Sequence, residues 1–314
     1  MRLRRERRSR AVHHSVTSVR YSAAVTIAWL GEREAHDAAT VGGKAASLSR
    51  LASQYRVPPG FALTADTLGL AAPDLARGTV PEELLAAIAE AYARLGGERV
   101  AVRSSAIDED GDAHSFAGQH ETFLNVEGIE AIGEAVVLCF ASAFTERALD
   151  YRQHVGLPVD HIGLAILVQA QVLADSSAVV FSANPINGRR DEIVINASYG
   201  LGESIVGGTT TPDTFVVRKA DFEVLSRTIG QKQLMTVPVP GGTRELETPA
   251  LLRDLPSIDE EQILALAALA VALETDGGAP VDVECAIHDA TVYLLQSRPI
   301  TTLRSASGVE RGDR

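Results

Sequence analysis

The feature that most constrains this 314-residue chain is its last long apolar stretch. Val281-Asp282-Val283-Glu284-Cys285-Ala286-Ile287 and Thr291-Val292-Tyr293-Leu294-Leu295-Gln296-Ser297-Arg298-Pro299 are rich in β-branched and aromatic residues. The polar trio His288-Asp289-Ala290 between them reads as a hairpin loop. Side chains alternate across a strand, so Asp282 and Glu284 share a face, as do Gln296 and Arg298. A hairpin centred near Ala290 sets Glu284 opposite Gln296 and Asp282 opposite Arg298. One face then carries two carboxylates, an amide and a guanidinium; the other carries Val281, Val283, Cys285, Ile287, Tyr293 and Leu295 and faces a core. A cross-strand ion pair is one reading of the polar face. The other is a platform for metal and phosphate, because carboxylate and amide oxygens suit Mg²⁺ and arginine grips phosphate in a fork.

The remainder of the chain reads as a mixture of helices and strands. A short strand is expected near Thr26 to Leu30, then a helix in Val41-Gly42-Gly43-Lys44-Ala45-Ala46-Ser47-Leu48, with Ala45, Leu48, Leu51 and Ala52 on one face. Glycines let backbone approach a ligand, and the free N–H groups of a helix start attract anions, so Lys44 sits at an anionic focus. The pattern is not a Walker A loop, whose first glycine would fall at Ala38. Val57 to Phe61 reads as a rigid turn into a strand, residues 66 to 80 as loop, and Pro81 to Leu95 as a helix. Val100 to Ser105 is a strand ending in Arg103 and two hydroxyls. Asp108 to Asp112 fails the EF-hand spacing. The small-residue turn around Gly118 precedes a strand and suits a flap over phosphates. Residues 128 to 153 read as one long helix with Phe144 inward. Strands follow at 164–172, 178–182, 192–197, 214–217 and 224–229, then a helix at 259–275 closed by Gly277-Gly278. Gly200-Leu201-Gly202 is no dinucleotide fingerprint, since its third glycine would fall at Ile205.

Charge narrows the partners. The net charge is −12, but residues 1 to 20 hold seven Arg against one Glu, which leaves about −18 for the rest. That balance argues against nucleic acid as the main partner. A protein this acidic must concentrate its few cations to handle a polyanion, and Lys44 is one of only three lysines. Cys139 and Cys285 lie in apolar runs and read as buried thiols of a reducing, cytoplasmic protein. No stretch approaches the length of a membrane-spanning helix.

Taken together these runs resemble the ATP-binding domain of phosphoenolpyruvate synthases, pyruvate phosphate dikinases and rifampicin phosphotransferases. The matching segments are Val41-Gly42-Gly43-Lys44-Ala45, Val57-Pro58-Pro59-Gly60-Phe61, Ala101-Val102-Arg103-Ser104-Ser105-Ala106, Ser115-Phe116-Ala117-Gly118-Gln119, Ala197 to Glu203, and Gln296-Ser297-Arg298-Pro299. The resemblance implies an α+β, ATP-grasp-like fold whose two lobes close over Mg-ATP. It divides the chain into a basic tail (1–25), an N-terminal lobe (26–160), a C-terminal lobe (161–303) and a loose tail (304–314). By position it implies that Lys44 and Arg103 hold phosphates, that Gly118 forms the flap with Thr122 close behind, and that Gln169 lies near the adenine. Asp282, Glu284, Gln296 and Arg298 form the floor, with Glu284 and Gln296 as Mg²⁺ ligands and Lys44, Arg103, Glu284 and Arg298 as the catalytic set. Ser176-Ser177-Ala178 stands where the family usually has Ser-Gly. None of the eight histidines lies in the Gly/Thr-rich setting of the family's carrier histidine. The expectation is therefore an ATP-dependent phosphotransferase component that passes a phosphoryl or pyrophosphoryl group to a histidine on a separate protein or domain. Direct action on a small molecule, as kinase or ligase, and ATP binding without chemistry are the alternatives.

Overall fold

The computed structural model describes residues 25–107, 121–154 and 162–300. The Gly118 turn, residues 1–24 and residues 301–314 lie outside that set. In chain order the elements are β1 (Ile27–Trp29), α1 (Ala38–Leu51), β2 (Gly60–Leu63), α2 (Ala65–Leu75), α3 (Glu82–Arg94), β3 (Val100–Ala106), β4 (Thr122–Val126), α4 (Ile129–Ser142), α5 (Glu146–His154) and β5 (Leu164–Ala170). They continue with β6 (Ser176–Phe181), β7 (Glu192–Tyr199), α6 (Glu203–Val206), β8 (Asp213–Arg218), β9 (Val224–Thr228), β10 (Leu234–Val239), β11 (Gly242–Glu247), α7 (Ala250–Arg253), α8 (Glu260–Gly277), β12 (Val281–His288) and β13 (Thr291–Pro299).

Two antiparallel sheets organise these elements. The first runs β1-β2-β5-β3-β4, the second β13-β12-β6-β7-β8-β9, and β10-β11 stands apart as a hairpin. Leu164–Ala170 thus belongs to the first sheet, between β2 and β3, and the chain passes to the second sheet after Ala170 rather than at residue 160. One apolar cluster joins the first sheet to α2, α3 and α4 through Phe61, Leu68, Ile88, Val102, Ile132 and Ile166. A second joins the other sheet to α8 through Val180, Ile195, Phe215, Ile263, Leu266 and Val283, and includes Val41, Ala45 and Leu48 of α1. Each fully buried Val, Leu, Ile or Phe side chain among these contributes about 1.5–3 kcal/mol.

Strand alternation decides which residues remain for function. On β12, Val281, Val283, Cys285 and Ile287 join the core, while Asp282, Glu284 and Ala286 face a cavity on the other side. On β6 the core takes Ala178 and Val180, and Ser177, Val179 and Phe181 border the cavity. This is the period of two written into the sequence.

Several local expectations change. Residues 65–75 are helical, not loop: the Thr64 hydroxyl caps the helix by accepting from Thr67 N, and Leu68, Ala71 and Leu75 form its buried stripe. Gly69 and Pro73 mask that pattern in the sequence. The long helix expected over 128–153 is two, because Ser142 and Thr145 divert local hydrogen bonds, with Ser142 Oγ donating to Cys139 O and Ala148 N to Thr145 Oγ1. Phe144, at the break, is exposed. Helix α8 starts as its sequence suggests, with a capping box between Asp259 and Gln262, and ends at Gly278 in the left-handed conformation.

The terminal hairpin holds the most instructive difference. His288 pairs with Thr291, so the turn is two residues, Asp289-Ala290, both at positive φ. A tight turn of this kind shifts every pair by one from the expected symmetry, yet Glu284 still faces Gln296 and Asp282 still faces Arg298. A bulge restores the register: Cys285 pairs with Leu294 and Glu284 with Gln296, which leaves Leu295 as the extra residue. The bulge also inverts the alternation beyond it. Leu294 and Val292 pack on the core, in place of Leu295 and Tyr293.

Candidate functional site

A cavity of about 650 Å³ opens between the two sheets. Its walls include Lys44, Arg103, Thr122, Asp282, Glu284, Gln296 and Arg298, so the structure brings together seven of the nine residues singled out from sequence. Gly118 lies outside the described residues. Gln169 does not line the cavity: it is buried, and its Nε2 donates to Pro58 O at 3.0 Å.

Lys44 reaches the cavity because of a break in α1. Gly42 has φ 76° and ψ 163°, which interrupts the helix, and the chain resumes helically at Gly43 with Lys44 in the first turn. A Cβ at Gly42 would lie 2.0 Å from Ser105 O, so only glycine lets this helix meet the end of β3. Ala45 N donates to Ser105 Oγ at 3.1 Å, and Lys44 Nζ to Ser104 O at 3.1 Å. Lys44 is only 7% exposed, rare for a lysine.

Arg103 stands on β3, equally buried. Its Nη1 donates to the carbonyl of Leu295 at 3.0 Å, the residue that the hairpin bulge pushes out of register. The irregularity in β13 is thus what joins the two sheets at the site. Burial pulls the Arg103 guanidinium below its ordinary value, and the Glu284 charge opposes that shift. Asp282 accepts two hydrogen bonds from Arg298 through Oδ2, at 2.7 and 2.9 Å. Buried polar atoms remain without partners: Arg103 Nε and Asp282 Oδ1. Among the described residues, the side chains of Glu284 and Gln296 also carry no hydrogen bond. An orphaned buried donor or acceptor costs about 1–3 kcal/mol, so the pair of Arg103 Nε and Asp282 Oδ1 marks a place shaped for something else.

The cavity has two chemically distinct ends. Along the first sheet, Lys44 meets Ser104 and Ser105, Arg103 pairs with Thr122, and Gln171 follows Ala170 beyond Val100. Three residues of strand separate Arg103 from Val100, roughly 10 Å at ~3.3 Å each. Along the second sheet, Asp282 and Arg298 are likewise followed by Glu284 and then by Ala286, beside Ser177 and the Gly200–Glu203 turn. Cations gather at one end; the other offers amides, hydroxyls and Glu203. Sequence reasoning passed over Gln171 and Glu203, although Glu203 closes the matched Gly-Leu-Gly-Glu run.

Burial holds the Glu203 carboxyl above its ordinary 4.5, while the Thr243 hydroxyl pulls it down and Glu245 adds repulsion. The folded protein therefore keeps this proton more tightly than the unfolded chain, so stability falls as pH rises from about 4.5 through the raised value and stays reduced above it. Glu203→Gln is expected to raise the melting temperature at neutral pH and above, with no gain well below 4.5. Melting curves of both proteins across that range check it; an equal gain at acid pH would contradict it.

Outside this site, Cys139 and Cys285 are buried, and burial raises the Cys139 thiol to about 12, so neither is a nucleophile at neutral pH. No helix among the described residues is long and apolar enough to cross a membrane.

Comparison with known proteins gives the same direction. The family described as "Pyruvate phosphate dikinase, AMP/ATP-binding domain" matches residues 70–313. A probable phosphoenolpyruvate synthase of Methanocaldococcus jannaschii is 37% identical over 318 residues, covering 88% of this chain and 27% of that protein. Rifampicin phosphotransferase of Streptomyces sviceus is 38% identical, over 87% of this chain and 36% of its own length. The prodigiosin synthesizing transferase PigC of Serratia marcescens is 39% identical, over 83% and 32%. The chain spans about a third of the length of these relatives.

Proposed function

Because the chain belongs to the pyruvate phosphate dikinase AMP/ATP-binding domain family, we propose that it binds Mg-ATP between its two sheets and passes a phosphoryl or pyrophosphoryl group to a histidine on a separate protein or domain. The observation that carries this reading is the convergence of Lys44, Arg103 and Arg298 with Glu284 and Gln296 on one cavity, where Arg103 Nε and Asp282 Oδ1 are buried without partners among the described residues. The triphosphate lies at the cationic end, where Lys44 and Arg103 neutralise it and Arg298, braced by Asp282, grips it as a fork. The nucleoside extends toward Gln171 and the Gly200–Glu203 turn. Arg103 sits where a buried guanidinium, fixed by the Leu295 carbonyl, stabilises charge that develops during phosphate cleavage without having to reorganise.

The donor set suits Mg²⁺: Glu284 and Gln296 face each other across β12 and β13, supply hard oxygen atoms and have no competing hydrogen bonds among the described residues. When bound, the metal would neutralise phosphate charge and orient the oxygens of the group to be transferred. In this reading the first sheet with its helices forms one lobe and the second sheet with α8 the other, closing over the nucleotide as the family resemblance implies.

The experiment is incubation with β- or γ-labelled ATP, Mg²⁺ and a candidate histidine-bearing partner. Acid-labile label on the partner histidine is the expected result, and AMP or ADP among the products distinguishes dikinase from simple kinase chemistry. Consumption of ATP with a small-molecule acceptor, and no label on any partner, would favour direct action instead.

A further inference from the structure

The hairpin β10-β11 belongs to neither sheet, yet it touches both. Its base is anchored by a fully buried ion pair: Lys232 Nζ donates to Asp213 Oδ1, and Asp213 Oδ2 accepts from Ser257 N and Oγ, each at 2.7 Å. Its stem is fixed to the second sheet, where Leu201 N donates to Thr236 O at 2.9 Å and a Cβ at Gly200 would lie 2.3 Å from that oxygen. The Thr243 hydroxyl lies near the carboxylate of Glu203, which lines the cavity. Among the described residues, its tip is hydrogen-bonded to the first sheet through the side chain of Asn125. Asn125 Nδ2 donates to both Val239 O, at 2.6 Å, and Gly242 O, at 2.7 Å.

Asn125 is built for this contact. The register between β3 and β4 skips a residue between Val126 and Phe123, and Asn125 takes φ 56° at that bulge. Asparagine is among the few non-glycine residues that accept this conformation readily. The bulge turns its amide off the strand toward the hairpin, and the side chain is only 2% exposed. Its backbone N–H is held in turn by Gln171 Oε1, at 3.3 Å. Gln171 is itself a cavity residue. A continuous path of hydrogen bonds thus leads from Gln171 on the first sheet through Asn125 and the hairpin to Leu201, another cavity residue, on the second. Both ends of the path lie at the end of the cavity away from the cations.

We propose that Asn125 is a positioning residue: through the β10-β11 hairpin it fixes the distance between the two sheets at the nucleoside end of the cavity, and so sets how tightly the nucleotide is held. The inference rests on the Mg-ATP reading above. The triphosphate end has its own fastening, Arg103 to Leu295, and does not depend on the strap.

Three proteins and one exchange measurement test it. Asn125→Gly keeps the left-handed backbone and removes the latch; Thr243→Val removes the strap's hydroxyl beside Glu203 and leaves the Leu201–Thr236 hydrogen bond in place. Each is expected to weaken Mg-ATP binding roughly 2- to 30-fold, the range of coupling through residues that do not touch the ligand. The double variant is expected to lose little more than the worse single one, since both loosen one connection. Hydrogen exchange on the wild type is expected to show slower exchange in 234–247 when Mg-ATP is added, and no such protection in Asn125→Gly. A merely structural role would lower the melting temperature but leave nucleotide-dependent protection of the hairpin in place. Affinities within 2-fold of wild type, additive losses, or a wild-type hairpin indifferent to bound Mg-ATP would overturn the proposal, and the last needs no variant to fold. If the wild type bound no Mg-ATP at all, the functional reading would fall first and the strap with it.

Discussion

Arg103→Met is expected to weaken Mg-ATP binding by about 100-fold or more while leaving the nucleotide-free protein close to wild-type stability. The two halves of that result have one cause. Arg103 is a buried cation whose charge is disfavoured by its surroundings, with Glu284 as the opposing influence. Among the described residues its Nη1 is satisfied by the Leu295 carbonyl and its Nε has no partner. A charge-assisted contact to phosphate in such a place is worth about 1.5–3 kcal/mol, and the tenfold step of ~1.4 kcal/mol turns this into one to two orders of magnitude. Further loss comes from the misplacement of neighbouring phosphate contacts. In the free protein, methionine removes the cost of burying the charge, and replacement of buried charges by apolar side chains of like volume is often neutral or stabilising. The lone Leu295 carbonyl and the uncompensated Glu284 offset that gain, for a net change expected within about 2 kcal/mol. Titration with Mg-ATP and melting without it check both halves. Unchanged affinity would remove Arg103 from the site, and a collapse of the free protein would make it a structural residue.

Gly42→Ala carries the largest expected effect on stability. The backbone there combines positive φ with extended ψ, a region open essentially to glycine alone and costing other residues about 1–3 kcal/mol. The added methyl would also lie 2.0 Å from Ser105 O and 2.4 Å from Ser105 C, main-chain atoms that cannot rotate aside. Either α1 or the end of β3 must move, at a total cost of about 4 kcal/mol or more. For a chain of this size that corresponds to a fall in melting temperature on the order of 10 °C. The shift also carries Lys44 away from Ser104 O, so any protein that does fold is expected to bind Mg-ATP weakly. A melting temperature within about 2 °C of wild type would mean that the contact between α1 and β3 is far looser than drawn.

How much of this was legible in the sequence varies with the physics involved. The facing of Asp282 with Arg298 and Glu284 with Gln296 follows from strand alternation, and survives because a bulge at Leu295 corrects the tight turn. The bulge itself was not legible, since nothing in Tyr293-Leu294-Leu295 tells which leucine enters the core; that is decided by α8 above it. Lys44 was legible as a helix-start lysine after two glycines, but its burial depends on Ser104 and Ser105, sixty residues away. Helix α2 was hidden by Gly69 and Pro73, whose local preferences are overridden by packing of Leu68, Ala71 and Leu75. Hairpin β10-β11 was missed because Pro238 interrupts one strand and the other is mostly exposed, which dilutes the alternation. Gln169 and Gln171 could not be told apart by type. The structure spends the first on Pro58 and leaves the second at the cavity wall.

The central claim is that one cavity holds Mg-ATP by the cations gathered at one end of it. Calorimetric titration of the purified chain with ATP, with and without Mg²⁺ and repeated on Lys44→Ala, tests it most directly. The account expects Mg²⁺-dependent binding to a single site in the wild type and its loss in the variant. A folded wild-type chain that binds no ATP, or a variant that binds as well as wild type, would contradict it.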